Sequence, residues 1–348
     1  MVTKQNNLKS ISFCLAVLLL SSCQPQPPPD EPIIPTTLNQ PPAVAITPEN
    51  FSKLMLAATG TISFPHEIVW ARNAQTITTT TEGSVSLLDA QTLEVEREFS
   101  FEAPASLSAA SPDGKTLALS YDNRNIDLFD LFTTNKTLAI HSDYFIGRID
   151  FSPDGRRILT TSEEDLLVTL WDTNSGNALK TLTGFDTAAP VYTASFSDDE
   201  EHIIWFSRGR IQLTDIESGE MSMVFDHEDF VVSWTLSHDG KYLATASAGM
   251  VQGHFVPLIL IWDTASGETR MLMNSESSYD AVTFCPNTHL VAVAHENLIT
   301  IIDLDDFRKP AELTLAGGSI ANMSFAPDGS ALAATNIDGL IAVWRIPN

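Results

Sequence analysis

Residues 152–172 read SPDGRRILTTSEEDLLVTLWD. Ser-Pro-Asp-Gly suits a tight reversal, because Pro fixes one φ and Gly accepts a positive one. The runs ILTT and LLVTLW that follow are short, apolar and rich in β-branched residues, as strands are. Between them lies SEED, a polar turn. The stretch therefore predicts two short antiparallel strands between a tight turn before and a Trp-Asp dipeptide after.

The same unit recurs along the chain. SPDG returns at 111–114, SHDG at 237–240 and APDG at 326–329, with SDDE at 197–200, CPNT at 285–288 and ARNA at 71–74 as weaker copies. The start-to-start spacings are 40, 41, 45, 40, 48 and 41 residues. A second series runs in register with the first, ending at Asp89, Asp130, Asp172, Asp215, Asp263 and Asp303, with Arg345 closing it. Several of these ends lead into an S-G turn, as in TNSG at 173–176 and TASG at 264–267. A repeat period near 42 residues marks a repeat architecture. Each unit reads as four strands.

This pattern resembles the WD-repeat family, over roughly residues 51–348, with Trp171-Asp172 and Trp262-Asp263 carrying the name dipeptide. The resemblance implies an all-β, seven-bladed β-propeller of four-stranded antiparallel blades. The seventh unit stops after its third strand. A spare strand, 51–58 (FSKLMLAA), precedes the first unit. It is expected to pair with residues 340–346 and close the ring, removing an edge that would invite pairing with other chains. The resemblance also implies a structural network in each blade: a His before the first strand, a Ser or Thr on the second, the Trp, and an Asp six residues before that Trp. Blade 3 offers His141, Ser162, Asp165 and Trp171; blade 5 offers His227, Ser247 and Trp262; blade 7 keeps Asp338 and Trp344 but has Gly317-Gly318 and no His. In blade 4 Thr214 stands where the Trp belongs and Trp205 appears on the second strand. Its indole is expected to fill the same volume from one strand over.

The first 50 residues read differently. Lys4 and Lys9 precede ISFCLAVLLL at 11–20, an apolar run too short to span a bilayer as a helix. A signal peptide over residues 1–22 is expected. Leu20-Ser21-Ser22-Cys23 resembles the lipobox of bacterial lipoproteins, which implies lipidation at Cys23. Residues 23–50 then form a Pro-rich tether, with nine prolines between positions 24 and 48. The expected location is extracytoplasmic, held to a bacterial membrane by the lipid alone, and to the outer membrane where the cell has one.

The 348 residues carry 19 Lys and Arg against 44 Asp and Glu, a net charge of −25. No basic footprint is present, so nucleic acid is not an expected partner. Of three cysteines only Cys285 lies in the repeat region, so no disulfide is expected there, and its thiol should be buried and inert. No metal-ligand spacing, nucleophile elbow or phosphate-binding glycine loop appears. The innermost strands should place Val69, Ala109, Asp150, Ser195, Thr235, Thr283 and Ser324 at equivalent channel positions, too few charges for a metal ring. No cofactor and no catalytic activity are expected.

The face built by the loops between second and third strands, and between blades, is the better candidate. It should present Tyr144, Phe145, Phe185, Phe230, Phe255 and Tyr279, with Met250 on an inserted loop at 249–257. Aromatic side chains among carboxylates suit an interface with another protein, basic or amphipathic in character. The expected function is a monomeric, non-catalytic protein-binding scaffold. The alternatives are a lactonase-like or quinone-dependent propeller enzyme and a periplasmic envelope-assembly component.

Overall fold

The computed structural model describes residues 43–347 except 63–66, 82, 102–104, 184–192, 198, 208, 228–230, 252–253, 275–278 and 308–309. Seven four-stranded antiparallel sheets follow one another along the chain. Blades 1 to 6 span residues 67–100, 107–141, 148–182, 193–226, 231–274 and 281–314. Blade 7 takes three strands from residues 320–345 and its fourth from Met55–Thr61, which pairs antiparallel with Leu340–Arg345. The ring closes as expected, though the closing strand starts later than residue 51: Phe51–Lys53 is a single 3-10 turn. Asn50 explains the delay. Its side-chain oxygen accepts from the backbone N–H of Thr47 and its amide donates to the carbonyl of Ala45, so the chain turns before it can extend.

Residues 43–50, expected as the end of the tether, belong to the folded domain. Ile46 and Phe51 are buried between blades 6 and 7, and the Ile46 N–H donates to the carbonyl of Gly329 at 2.8 Å. Cys285 lies in the same cluster, and burial pushes its thiol up to about 11.

Two kinds of side-chain cap shape the turns. In the Ser-Pro-Asp-Gly turns the serine hydroxyl donates to the aspartate two residues on, at 2.6 Å for Ser111–Asp113 and Ser152–Asp154. The aspartate then accepts the next backbone N–H, as Asp154 does from Arg156. In the Trp-Asp turns Asp172 accepts both the N–H and the hydroxyl of Ser175 at 2.7 Å. Those bonds hold the Asp172 carboxyl below the usual carboxylate range. In six of the seven first turns the fourth residue sits at positive φ, as Gly155 does at 71°; at 285–288 it is the third, Asn287, at 58°. Glu200 occupies the matching place in blade 4 at 62°, a conformation a side chain enters at a cost.

Packing is between blades. Each third-strand Trp points into the seam with the preceding blade: Trp171 among Ile126, Leu128 and Ile140, Trp262 among Ile211, Leu213 and Phe225. The seam between blades 3 and 4 is filled instead by Trp205, which is 1% exposed among Leu159, Val168 and Leu170. Ile203 pairs with Thr214 in register. Trp205, two residues further along the strand, therefore shares that face, and the displaced indole fills the seam that Thr214 leaves open.

Candidate functional site

The strand directions give the ring two faces. One, the turn face, carries the Ser-Pro-Asp-Gly and Trp-Asp turns. The other, the loop face, carries the connections between second and third strands and between successive blades.

On the loop face three connections join into one rim across blades 2 and 3. Residues 121–124 link the second and third strands of blade 2. Residues 142–147 link blade 2 to blade 3, and residues 163–166 link the second and third strands of blade 3. The N–H groups of Ser142 and Ile146 donate to the carbonyls of Arg124 and Asn123. In return the Asn123 amide donates to the Ile146 carbonyl, and the Arg124 guanidinium to that of Asp143, both at 2.8 Å. The Gly147 N–H donates to Thr161, and Gly147 lies against the Glu163 side chain. These bonds fix the backbone around Tyr144 and Phe145, which are 39% and 40% exposed, beside Tyr121 at 42%. Asp122, Asp143, Glu163, Glu164 and Asp165 lie on the same three connections, all exposed.

The other expected contact residues fare differently. Phe185, Phe230 and Cys23 lie outside the described residues. Met250 and Phe255 are cross-strand partners in a hairpin whose strands, Tyr242–Val251 and His254–Asp263, run ten residues each. The insertion is thus a sheet extension that continues blade 5 beyond the loop face, where a loop was expected. Tyr279 is a correction. It is 3% exposed, packed edge-on against His295 in the seam between blades 5 and 6, and burial raises its phenol. Its place just ahead of the inner strand Ala281–Phe284 makes it part of the core. Val232 and Ile337, exposed at the loop-face ends of blades 5 and 7, were not anticipated, and only their turn and bulge positions could have signalled them.

The expected buried networks are rewired. Trp171 Nε1 donates to Thr160 Oγ1 at 2.9 Å, and Trp262 Nε1 to Thr245 Oγ1 at 3.2 Å. Ser162 donates to Asp165 at 2.9 Å, apart from the Trp. Ile158 lies opposite Trp171 and Leu243 opposite Trp262 in register. Ser162 and Ser247 are therefore four residues, roughly 13 Å, further along the strand, whereas each threonine is two. His141 ends the outer strand of blade 2, exposed, with Nδ1 2.8 Å from Asn125 Oδ1. His227 does meet its tryptophan, ring against ring at 4.8 Å. Its Nε2 is buried with no hydrogen-bond partner among the described residues, and burial lowers its pKa to about 4. In blade 7 the backbone stands in for a histidine: the Gly318 N–H donates to Asp338 at 2.7 Å. Gly317 sits at φ 94°, and a Cβ there would lie 2.8 Å from the side-chain tips of Asp338 and Asn336, so a larger residue would be strained and would disturb this contact. Trp344 is buried in the seam between blades 6 and 7.

Val69, Ala109, Asp150, Ser195, Thr235, Thr283 and Ser324 do occupy one level of the inner strands, each paired with the equivalent second-strand residue. Asp150 is the one carboxylate among them. It keeps a partial face on the channel, but dense surroundings raise its pKa, opposed by Arg148 and by the Phe196 N–H. Among the described residues no group of three or more His, Cys, Asp or Glu is arranged to hold a metal ion.

Comparison with known proteins agrees with this architecture. The family described as "WD domain, G-beta repeat" matches residues 132–172, which run from the second turn of blade 2 to the Trp-Asp of blade 3. Protein tipD of Dictyostelium discoideum is 25% identical over 68% of the chain and 38% of its own length. The Protein LST8 homolog of Drosophila melanogaster is 25% identical over 54% of the chain and 60% of its own length. The matched stretch thus covers less than two thirds of either relative. A solved chain of Kuenenia stuttgartiensis hydrazine synthase superposes with a TM-score of 0.67 at 18% identity, covering 81% of this chain and 95% of that one. At that identity the likeness concerns the fold.

Proposed function

Since this chain is a seven-bladed β-propeller of the WD-repeat type, we propose that it is a non-catalytic scaffold that holds a partner protein on its loop face, tethered through a lipidated Cys23 to the outer side of a bacterial membrane. The observation that carries this reading is the rim of blades 2 and 3. There Tyr144 and Phe145 stand exposed on a backbone that hydrogen bonds already fix. Rigid aromatic side chains lose little entropy on binding and make strong contact anchors. The point of chain entry is compatible with the tether. Ile46 is bonded to Gly329 on the turn face, so the chain enters the domain on the face opposite the proposed docking rim. At the channel level of Asp150 the companion residues are small and uncharged, which supports a binding role over a catalytic one there.

The test is cross-linking and affinity capture with the full-length chain beside a Tyr144→Asp, Phe145→Asp variant. Loss of the captured protein from the variant, with the fold intact by circular dichroism, is the expected result. Retrieval of the same proteins by both forms would end the assignment of this face. Replacement of Cys23 by Ser should release the chain from membranes; membrane retention of that variant would rule out the anchor.

A further inference from the structure

The rim of blades 2 and 3 has a charge pattern as well as an apolar one, and the two together specify the partner's chemistry. Five carboxylates, Asp122, Asp143, Glu163, Glu164 and Asp165, share it with two guanidiniums, Arg124 and Arg148. Arg124 is engaged by the Asp143 carbonyl and serves to hold the loop. The Asp122 carboxyl is taken up by the backbone N–H groups of Asn125 and Arg124 and by the Asn125 amide, which hold it below the usual carboxylate range. Asp165 accepts from Ser162. Glu163 and Glu164 lie beyond these internal bonds: among the described residues neither makes a hydrogen bond or an ion pair. Glu163 reaches over Gly147, toward the loop that carries Tyr144 and Phe145.

We infer that this rim binds a cationic segment of the partner, a short stretch bearing arginine or lysine whose charged heads meet Glu163, Glu164 and Asp143 while their stems and planes lie on Tyr144 and Phe145. A cation on the face of an aromatic ring is attracted by its quadrupole, and a guanidinium also stacks on it. A carboxylate at the ring's edge then completes the contact. An acidic or purely apolar segment would leave the glutamates facing like charge or no partner. The inference rests on the docking reading above and adds the partner's chemistry to it.

The probe is a fluorescein-labelled hexa-arginine peptide, followed by anisotropy against the full-length chain, with hexaglutamine and hexaglutamate peptides as comparisons. A chain of this net charge attracts any cation, so the deciding comparison is between two variants that lose the same charge. One is Asp143→Asn, Glu163→Gln, Glu164→Gln on the rim. The other is Glu94→Gln, Glu96→Gln, Glu98→Gln, all exposed at the outer strand of blade 1. The rim variant should weaken hexa-arginine binding by about tenfold and flatten its salt dependence, while the outer-strand variant changes it less than about twofold. Tyr144→Ala, Phe145→Ala should weaken it by about fivefold with no change in charge. Equal weakening by the two charge variants, or tighter binding of hexaglutamate, would overturn the inference. If either result came with a captured partner that Tyr144→Asp, Phe145→Asp abolishes, the docking face would stand and only its cationic preference would fall.

Discussion

Arg72 in the first turn of blade 1 reaches across the turn face to Glu200 of blade 4, with Nη2 3.6 Å from Oε1. On the way its guanidinium donates to the carbonyl of Pro153 in blade 3, Nε at 2.9 Å. These are two of the three weakest copies of the turn motif, ARNA and SDDE, and their departures from it complement each other. Blade 1 supplies the cation and blade 4 the anion. Glu200 also meets Arg157 at 3.3 Å, so one carboxylate links three blades.

That linkage has a measurable sign. Burial and the nearby Asp154 raise the Glu200 pKa despite both arginines. A carboxyl with a raised folded pKa stabilises the fold below its unfolded value and loses that contribution as pH rises through the folded one. Glu200→Gln is therefore expected to leave stability at pH 7 unchanged or slightly raised. Arg157→Ala should lower it by about 1 kcal/mol, and Arg72→Ala, half-exposed, by less. Urea unfolding at pH 7 measures all three.

Two histidines should pull the acid stability in opposite directions. His227 has its pKa lowered to about 4 by burial. It takes up a proton in the unfolded chain first, and stability falls as pH drops from about 6.5 towards 4. His227→Phe keeps a ring against Trp262 and should remove about 2 kcal/mol of that loss. His289 has a raised pKa despite partial burial, through Asp305 at 2.8 Å and Asp239 at 3.2 Å. Its contribution is fully present below about pH 6.5 and lost as pH rises through the folded value. His289→Gln should thus cost more at pH 5.5 than at pH 8. Unfolding curves across this range check both.

Trp205→Ala is expected to cost about 3–5 kcal/mol, because the indole is fully enclosed in the seam of blades 3 and 4. A loss below about 2 kcal/mol would mean the ring does not fill that seam.

Deleting the chain through Thr61 removes the closing strand and bares the edge of Leu340–Arg345. The truncated protein should associate through that edge, seen as a rise in scattering mass, while the full chain does not.

The blades were legible because their punctuation is chemical: Pro, Asp and Gly can build the first turn, and Trp-Asp-x-x-Ser-Gly the second. Closure was legible by counting strands. The finer contacts were not. The residue that receives the Trp171 indole depends on pairing register, which places Thr160 two residues from the ring's level and Ser162 four. Tyr279 looked like a loop aromatic in the sequence, yet the seam between blades 5 and 6 takes it in. Alternation alone cannot tell a ring over the channel rim from one wedged between sheets. The Gly317-Gly318 pair read as a missing histidine, whereas its bare backbone makes the contact.

Met55 and Arg345 are neighbours in space and lie near the two ends of the domain. During synthesis the amino-terminal strand must wait, unpaired, until the final strand has been made. Six blades can assemble in order as the polypeptide lengthens, but the seventh is completed by one encounter that spans nearly the whole domain. Such an encounter carries the full entropy of closing a long loop and belongs among the slow, late events of topologically distant pairing. Maturation of this toroid should therefore be limited by its clasp, with the open ring as the vulnerable species on which chaperones and proteases act.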